Sequence, residues 1–288
     1  MLKELPINFH ETFLIDLNLI AALIKEVKGA GLLLNATKEE VSLLTGIPTG
    51  KSSGKVEPMI KYAYAVGLID FEFKNKVWEL KLTQLGEIFY AEDLGFVEPV
   101  SLWMSHLMLC RRVNLEPTII GIINPWCHVF SQSNIALGGE FKQEEMIDFI
   151  STIQGSNKSI DNFLSLLIRT YTSPDSKFFG INILSLNGAL IQRNSAPRYS
   201  EYFPAYSIFL FSAWDEHLGS DKQIDLDTFL DKIGLLNILN WTKEQSMDWL
   251  NWMINKKFLQ IDRQTGTALA LRTASLDIVI ESLYSEVA

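Results

Sequence analysis

The feature that most limits how this chain can fold is an order of elements found near each end: helix, turn, helix, β-hairpin, helix. In the first occurrence, apolar residues recur at Phe13, Leu14, Leu17, Leu19, Ile20, Leu23, Ile24 and Val27. That is helical spacing, and it predicts a helix over Glu11–Lys28 that Gly29-Ala30-Gly31 ends. Thr37 followed three residues later by Glu40 makes a capping box for a short helix over Lys38–Leu44. Gly46-Ile47-Pro48 stops that helix, and a polar stretch runs from Thr49 to Lys55. A second helix is expected over Pro58–Val66, because proline suits a first helical position and Gly67 falls just past the end. Leu68–Lys74 and Val77–Leu82 alternate in polarity and break at Asn75, which reads as a hairpin. Thr83-Gln84-Leu85-Gly86-Glu87 then starts another helix.

The end of the chain repeats the plan in pattern, not in identity. Asp225 and Asp227 stand at the start of a helix over Thr228–Ile233, and Thr242 with Gln245 makes a second capping box before Glu244–Ile254. Phe258–Asp262 and Thr267–Arg272 form a hairpin about Gln264-Thr265-Gly266, and a last helix spans Ser275–Glu286. This order is that of the winged helix-turn-helix, in which the second helix enters a major groove and the hairpin rests on the flanking backbone.

Between these units the pattern is helical. Helices are expected from Pro99 to Arg112, from Pro117 to the kink at Pro125, and over Phe141–Ile153 and Ile160–Tyr171. Ser173–Pro204 is rich in breakers and reads as loop, and Ala205–Leu218 returns to an aromatic-rich helix. The expected fold is therefore mainly α, with a winged helix over 1–95, a helical middle domain over 96–204 and a second winged-helix-like unit over 205–288.

Charge is uneven along the chain. The formal net charge is −9, which argues against coating nucleic acid by bulk attraction. Locally the balance reverses: Lys51, Lys55, Lys61, Lys74, Lys76 and Lys81 outnumber Glu57, Asp70, Glu72 and Glu79. The acidic surplus lies in segments such as Glu140–Asp148 and Asp215–Asp231. No apolar run reaches the roughly 20 residues of a membrane span, and no signal-like block opens the sequence, so a cytoplasmic protein without a membrane partner is expected. Cys110 and Cys127 are too few for a disulfide framework and read as buried thiols.

Motifs for catalysis are thin. Gly46-Ile47-Pro48-Thr49-Gly50-Lys51-Ser52 resembles a phosphate-binding P-loop, but it has three residues between its glycines where the motif needs four, and it follows a helix rather than a strand. A turn between helices is the better reading, and its Lys51, Ser52, Ser53 and Lys55 are suited to phosphate oxygens. His106 and Cys110 share a helix face, but adjacent Cys127 and His128 point about 100° apart, which suits no single tetrahedral zinc. His10-Glu11 lacks the second histidine of a zinc protease, and helix capping by Glu11 or Thr12 is the expected role there. His217 beside Asp215 and Glu216 reads as a solvated helix end. No catalytic residue, cofactor or metal is expected.

Five segments carry a family resemblance. Phe9-His10-Glu11-Thr12-Phe13, Gly54-Lys55-Val56 leading into Ile60-Lys61-Tyr62, Gly67-Leu68-Ile69, Leu82–Glu87 and Leu102-Trp103-Met104-Ser105-His106 together resemble the domain of unknown function numbered four thousand and seven. The likeness is specific over the first half and loose beyond Arg112. It implies a bacterial protein of DNA-modification and phage-defence loci of the phosphorothioation type, with His10, Glu11 and Thr12 as a shared motif and no established activity. The family's compact Gly-x-Gly-Lys is replaced here by the longer Gly50–Lys55 loop.

Two functions follow as expectations. The first is a non-enzymatic DNA-binding accessory of such a system, with double-stranded DNA met by Lys51, Ser52, Ser53, Lys55 and Lys61, flanked by wing lysines Lys74 and Lys76, and with Tyr62 or Glu57 reading bases. The second is an adaptor that docks a protein of the same locus through its winged helices.

Overall fold

The computed structural model describes residues 2–50, 54–115, 124–155, 158–262 and 268–287. Helix predominates, and among the described residues three small antiparallel sheets accompany it. An arm of turns and extended backbone leads into α1 (Leu17–Gly29), β1 (Leu33–Thr37), α2 (Lys38–Thr45) and α3 (Val56–Ala65). The hairpin β2 (Ile69–Lys74) and β3 (Val77–Leu82) follows, then α4 (Gln84–Glu92) and α5 (Pro99–Leu109). The middle begins with α6 (Asn124–Cys127), a π turn over His128–Gln132 and α7 (Ser133–Leu137). Next come β4 (Glu140–Lys142), α8 (Gln143–Gln154), α9 (Lys158–Thr172) and a second hairpin, β5 (Leu184–Asn187) with β6 (Leu190–Arg193). The last part comprises α10 (Phe203–Leu218), β7 (Gln223–Asp225), α11 (Leu226–Ile233), α12 (Leu235–Leu239), α13 (Met247–Asn255), the hairpin β8 (Leu259–Asp262) with β9 (Leu269–Arg272), and α14 (Leu276–Glu281).

The three sheets share one connectivity. Each opens with a strand, passes through a helical stretch, and returns as a hairpin whose second strand lies in the centre, giving β1-β3-β2, β4-β6-β5 and β7-β9-β8. Sequence pattern shows two of these units. The middle one hides because its hairpin strands lie in a stretch dense with breakers. Ser173–Pro204, expected as loop, therefore holds the β5–β6 hairpin, and the middle region is helix plus sheet rather than helix alone.

Local chemistry explains most boundaries. The Thr37–Glu40 capping box forms at the start of α2, and Thr242 and Gln245 exchange the equivalent pair of hydrogen bonds before α13. Asn75 and Lys76 both adopt positive φ at the β2–β3 turn, as a two-residue hairpin loop demands. The first helix starts at Leu17 instead of Glu11. The Asp16 carboxylate accepts from the Asn18 and Leu19 amides, so Asp16, not Glu11 or Thr12, is the cap. Glu11 itself sits at φ +53°, which no helix accommodates. The last helix is shorter than its pattern suggests and ends at Glu281.

Two helices set the core. Every residue from Val100 to Leu109 in α5 is buried, as is every residue from Phe203 to Phe211 in α10. Helices that are apolar all round must be covered on every side. They pack on each other, and α10 packs also on α14, which reaches back to α4. Their few polar atoms are paired. The Ser101 hydroxyl donates to Asp93 at 2.6 Å, Ser105 to the Ser101 carbonyl at 2.9 Å, and the Trp249 indole to Ser207 at 2.9 Å.

Gly86 marks where α4 crosses the hairpin base. A methyl group there would lie 2.1 Å from the Leu68 carbonyl oxygen and 3.0 Å from its carbon, both backbone. Gly86→Ala is expected to cost about 3 kcal/mol or more, because backbone cannot step aside as a flexible side chain does. Thermal unfolding checks this: a loss of several degrees is expected, whereas a melting temperature equal to the parent's would mean that α4 slides freely.

Candidate nucleic-acid interface

The second helix of the first unit lies inside the protein. Of its ten residues, only Glu57 and Lys61 escape full burial. The arm covers the rest. The Phe9 ring meets Tyr62 edge-on at 4.9 Å, the Tyr62 hydroxyl donates to the Phe13 carbonyl at 3.2 Å, and the Tyr64 hydroxyl donates to the Lys3 carbonyl at 3.3 Å. From the middle region Trp126 stands edge-on to Tyr62 at 6.4 Å, and Arg111 donates to the Tyr64 and Ala65 carbonyls. This corrects the expectation for Tyr62. With no exposed surface and a phenol pushed far up by burial, it is a core residue and reaches no base edge. Entry of α3 into a major groove is excluded in this conformation for the same reason.

The expected lysines divide. Lys51, Ser52 and Ser53 lie outside the described residues. The feet of the loop that bears them are fixed, however. The Lys55 amide donates to the Pro48 carbonyl at 2.8 Å, and Lys38 donates to the Gly50 carbonyl at 3.1 Å. A methyl group at Gly54 would lie 2.7 Å from the Thr49 Cα, so only glycine closes the arch this tightly. Lys61 pairs with Glu57 at 2.6 Å, and Lys74 with Glu72 at 3.9 Å on the β2–β3 hairpin, where Lys76 is exposed.

Lys55 enters a groove of ≈ 400 Å³ between the start of α1 and the end of α9. Thr12, Phe13 and Asp16 form one wall; Arg169, Ser173, Asp175 and Lys177 form the other. Three cations from two separated stretches of chain thus meet two carboxylates. Asp16 is largely committed, since it caps α1 while standing 3.9 Å from Lys55. Lys177 donates to the Gly95 carbonyl, and Arg169 is exposed. Lys55 also lies over the Phe13 ring, 6.0 Å from its centre. Half-exposed pairs at such distances hold little energy, so these cations can be turned to an anionic ligand at small cost. Arg169 and Lys177 had no signal in the sequence beyond being basic residues near a helix end, because nothing local links position 169 to position 55.

The motif residues part company as well. Thr12 lines the groove, Glu11 is exposed, and His10 is buried beneath, edge-on to Phe163 at 4.9 Å, with no partner on either ring nitrogen. Desolvation pushes its titration down to about 4, against smaller opposing effects of the Ile7 and Glu11 backbone. His106 is committed to the core too. Its Nδ1 lies 2.8 Å from the Tyr171 hydroxyl, which also accepts from the Trp126 indole at 2.8 Å, and burial followed by the nearby Arg193 pushes its titration down to about 3. Cys110 and Cys127 are buried thiols, raised by desolvation, and His128 bonds Gln132 at 2.8 Å. Among the described residues no group of three or more His, Cys, Asp and Glu side chains is arranged to hold a metal ion. Nor is any described helix long and apolar enough to cross a membrane.

No protein-family profile matches the chain, and no curated protein matches it. Among solved structures, it is similar to SspB and to magnesium ion-bound SspB. In both cases the identity is 14% and the TM-score 0.72, over 97% of this chain and 86% of that one. At that identity the likeness is one of fold.

Two of the buried imidazoles, those of His10 and His106, give a pH prediction. In the unfolded chain both titrate near 6.5, so the unfolded state binds protons first as pH falls. Their contribution to stability is complete above about pH 6.5 and is lost toward about 4 for His10 and about 3 for His106. On the order of 1–2 kcal/mol each is expected between about pH 7 and pH 5. Denaturant unfolding of the parent and of His10→Phe at both pH values isolates one share: the variant loses less stability on acidification, and an identical pH dependence would refute the assignment.

Proposed function

We propose that this chain is a non-enzymatic DNA-binding accessory of a bacterial DNA-modification or phage-defence system. It meets duplex DNA through phosphates rather than by inserting a recognition helix. The observation that carries this reading is the convergence of Lys55, Arg169 and Lys177 on one groove in a protein of net charge −9. Cations gathered from distant sequence positions onto one surface suit a polyanionic backbone, which needs positive charge only where it touches. Lys55 is tied to Pro48 through its amide, and Lys61 lies further along α3.

The units themselves are winged helices on this reading. Their order of strand, helices and central-strand hairpin is the winged-helix order, and the β2–β3 turn with Lys74 and Lys76 is the wing. With α3 covered by the arm, the contacts left to the first unit are its loop, its wing and the groove edge. Such contacts position a protein on DNA without reading sequence. The resemblance of Phe9–Phe13 and the segments after it to the phosphorothioation-locus family supports the place in defence. So does the position of Thr12 in the groove wall, which puts part of the shared motif beside the cations.

The test is fluorescence anisotropy of a labelled duplex of about three helical turns, titrated at several salt concentrations. Binding is expected to weaken steeply with salt. In the Lys55→Gln, Arg169→Gln, Lys177→Gln triple variant, the slope of log K against log salt is expected to fall by about 3, at roughly 0.9 per lost phosphate contact. Tyr62→Phe should leave the slope unchanged, since the ring is core. No binding at low salt, or equal binding by the triple variant, would overturn the reading.

A further inference from the structure

The third unit carries a surface with the opposite character. A groove of ≈ 320 Å³ opens between α11, α13 and the β8–β9 hairpin, and its walls are Leu226, Leu230, Leu236, Leu250, Ile261 and Ala268. Asp227, Lys243 and Glu244 stand at its mouth. Lys243 pairs with Asp227 at 3.2 Å, and Asp225 and Asp231 lie close enough to favour its charged form. Four carboxylates thus surround one lysine at the edge of an apolar slot. Unlike α3, which is covered on nearly every side, α13 leaves Asp248, Asn251 and Asn255 exposed. One side of α13 is therefore exposed and carries one acid and two amides, while Met247 and Leu250 of the same helix line the slot.

We propose that this groove docks a basic, amphipathic helical segment of a partner protein. The aliphatic side chains of that segment enter between α11 and α13, while its lysines and arginines meet Asp227, Glu244 and their acidic neighbours. The charge of the rim selects this occupant. Duplex DNA would be repelled by it, whereas a basic helix brings cations to four carboxylates that share the single Lys243. The size and lining fit recognition in which a few apolar anchors at helical spacing lie in a preformed groove. The proposal goes beyond DNA binding and stands on residues of the third unit alone, so either reading can fail without the other.

The experiment uses the full chain and three labelled synthetic peptides of equal length. One is basic and amphipathic, with leucines at helical spacing. One has the same composition with the spacing scrambled. One keeps the spacing and replaces each basic residue by glutamate. Anisotropy is expected to show binding of the first peptide at least about tenfold tighter than of either other, a factor equivalent to about 1.4 kcal/mol. Ile261→Lys in the wall and the Asp227→Lys, Glu244→Lys pair at the mouth are each expected to weaken it by a similar factor. The basic groove of Lys55, Arg169 and Lys177 serves as the control: the triple glutamine variant should bind the peptide as the parent does. Circular dichroism confirms that each variant is folded. Equal binding of patterned and scrambled peptides, or unchanged binding by both groove variants, would overturn the proposal. So would self-association of the full chain, seen by sedimentation velocity and abolished by Ile261→Lys, since the occupant would then be a second copy.

Discussion

Burial of α5 and α10 is the constraint on which the rest of the structure depends. Neither helix has a polar face to give to water, because ten consecutive residues of α5, Val100 to Leu109, and the run from Phe203 to Phe211 in α10 are all buried. A pair of such helices cannot lie at the edge of a domain, so other elements must close around them. The β-hairpin units supply that cover. α4 and α14 reach across from the first and third units, the segment after α9 packs on α5, and α12 packs on the π turn that follows α6. Serines at 101, 105 and 207 are admitted to this interior only because each hydroxyl finds a carboxylate or carbonyl within 3 Å.

The same packing changes what the first unit's second helix can do. A helix that reads DNA must keep one face bare, yet Tyr62 and Tyr64 are spent on holding the arm and Met59, Ile60 and Ala63 on the core. The arrangement makes sense once the arm is considered. Residues 2 to 15 carry Leu5, Phe9 and Ile15 into the interior, and those side chains need an apolar surface to meet; α3 is that surface. What remains for solvent is the rim of the helix, Glu57 and Lys61, and the arch before it. The second helix of the first unit thus keeps no bare face, because the arm and the core occupy it.

Much of this could be read from the sequence where the signal is local. Capping boxes at Thr37 and Thr242, the turn at Asn75 and Lys76, and the bounds of α2, β2, β3 and β8 follow from residues within a few positions of one another. The failures share a cause. Phe13 and Leu14 continue the apolar period ahead of α1, yet they line the groove and Asp16 is the cap. β5 and β6 are no shorter than β8 and β9 but lie among breakers that mask their hairpin, and β1 gives no local pattern because Leu33 and Leu34 pair with β3, almost fifty residues on. Tyr62 looked available because its neighbours Lys61 and Glu57 are polar; burial is set by the arm and by Trp126, which lie far away in sequence. For the groove, Lys55 was legible and its companions Arg169 and Lys177 were not, since convergence is a property of the fold.

Charge then takes on a meaning that the net value hides. A formal −9 spread evenly would repel polyanions from every side. Here Lys55, Arg169, Lys177 and the hairpin lysines Lys74 and Lys76 belong to the first two units, and the carboxylates of Asp225, Asp227, Asp231 and Glu244 belong to the third. Long-range repulsion is screened beyond a Debye length of about 8 Å at physiological salt, so each surface acts on what touches it rather than on the sum. On the proposed readings, phosphate and a basic helix would meet separate surfaces, and neither needs the other's charge reversed. A chain built to bring a basic protein to DNA would need this separation, because a partner with exposed lysines would otherwise compete with the chain's own groove for the same phosphates.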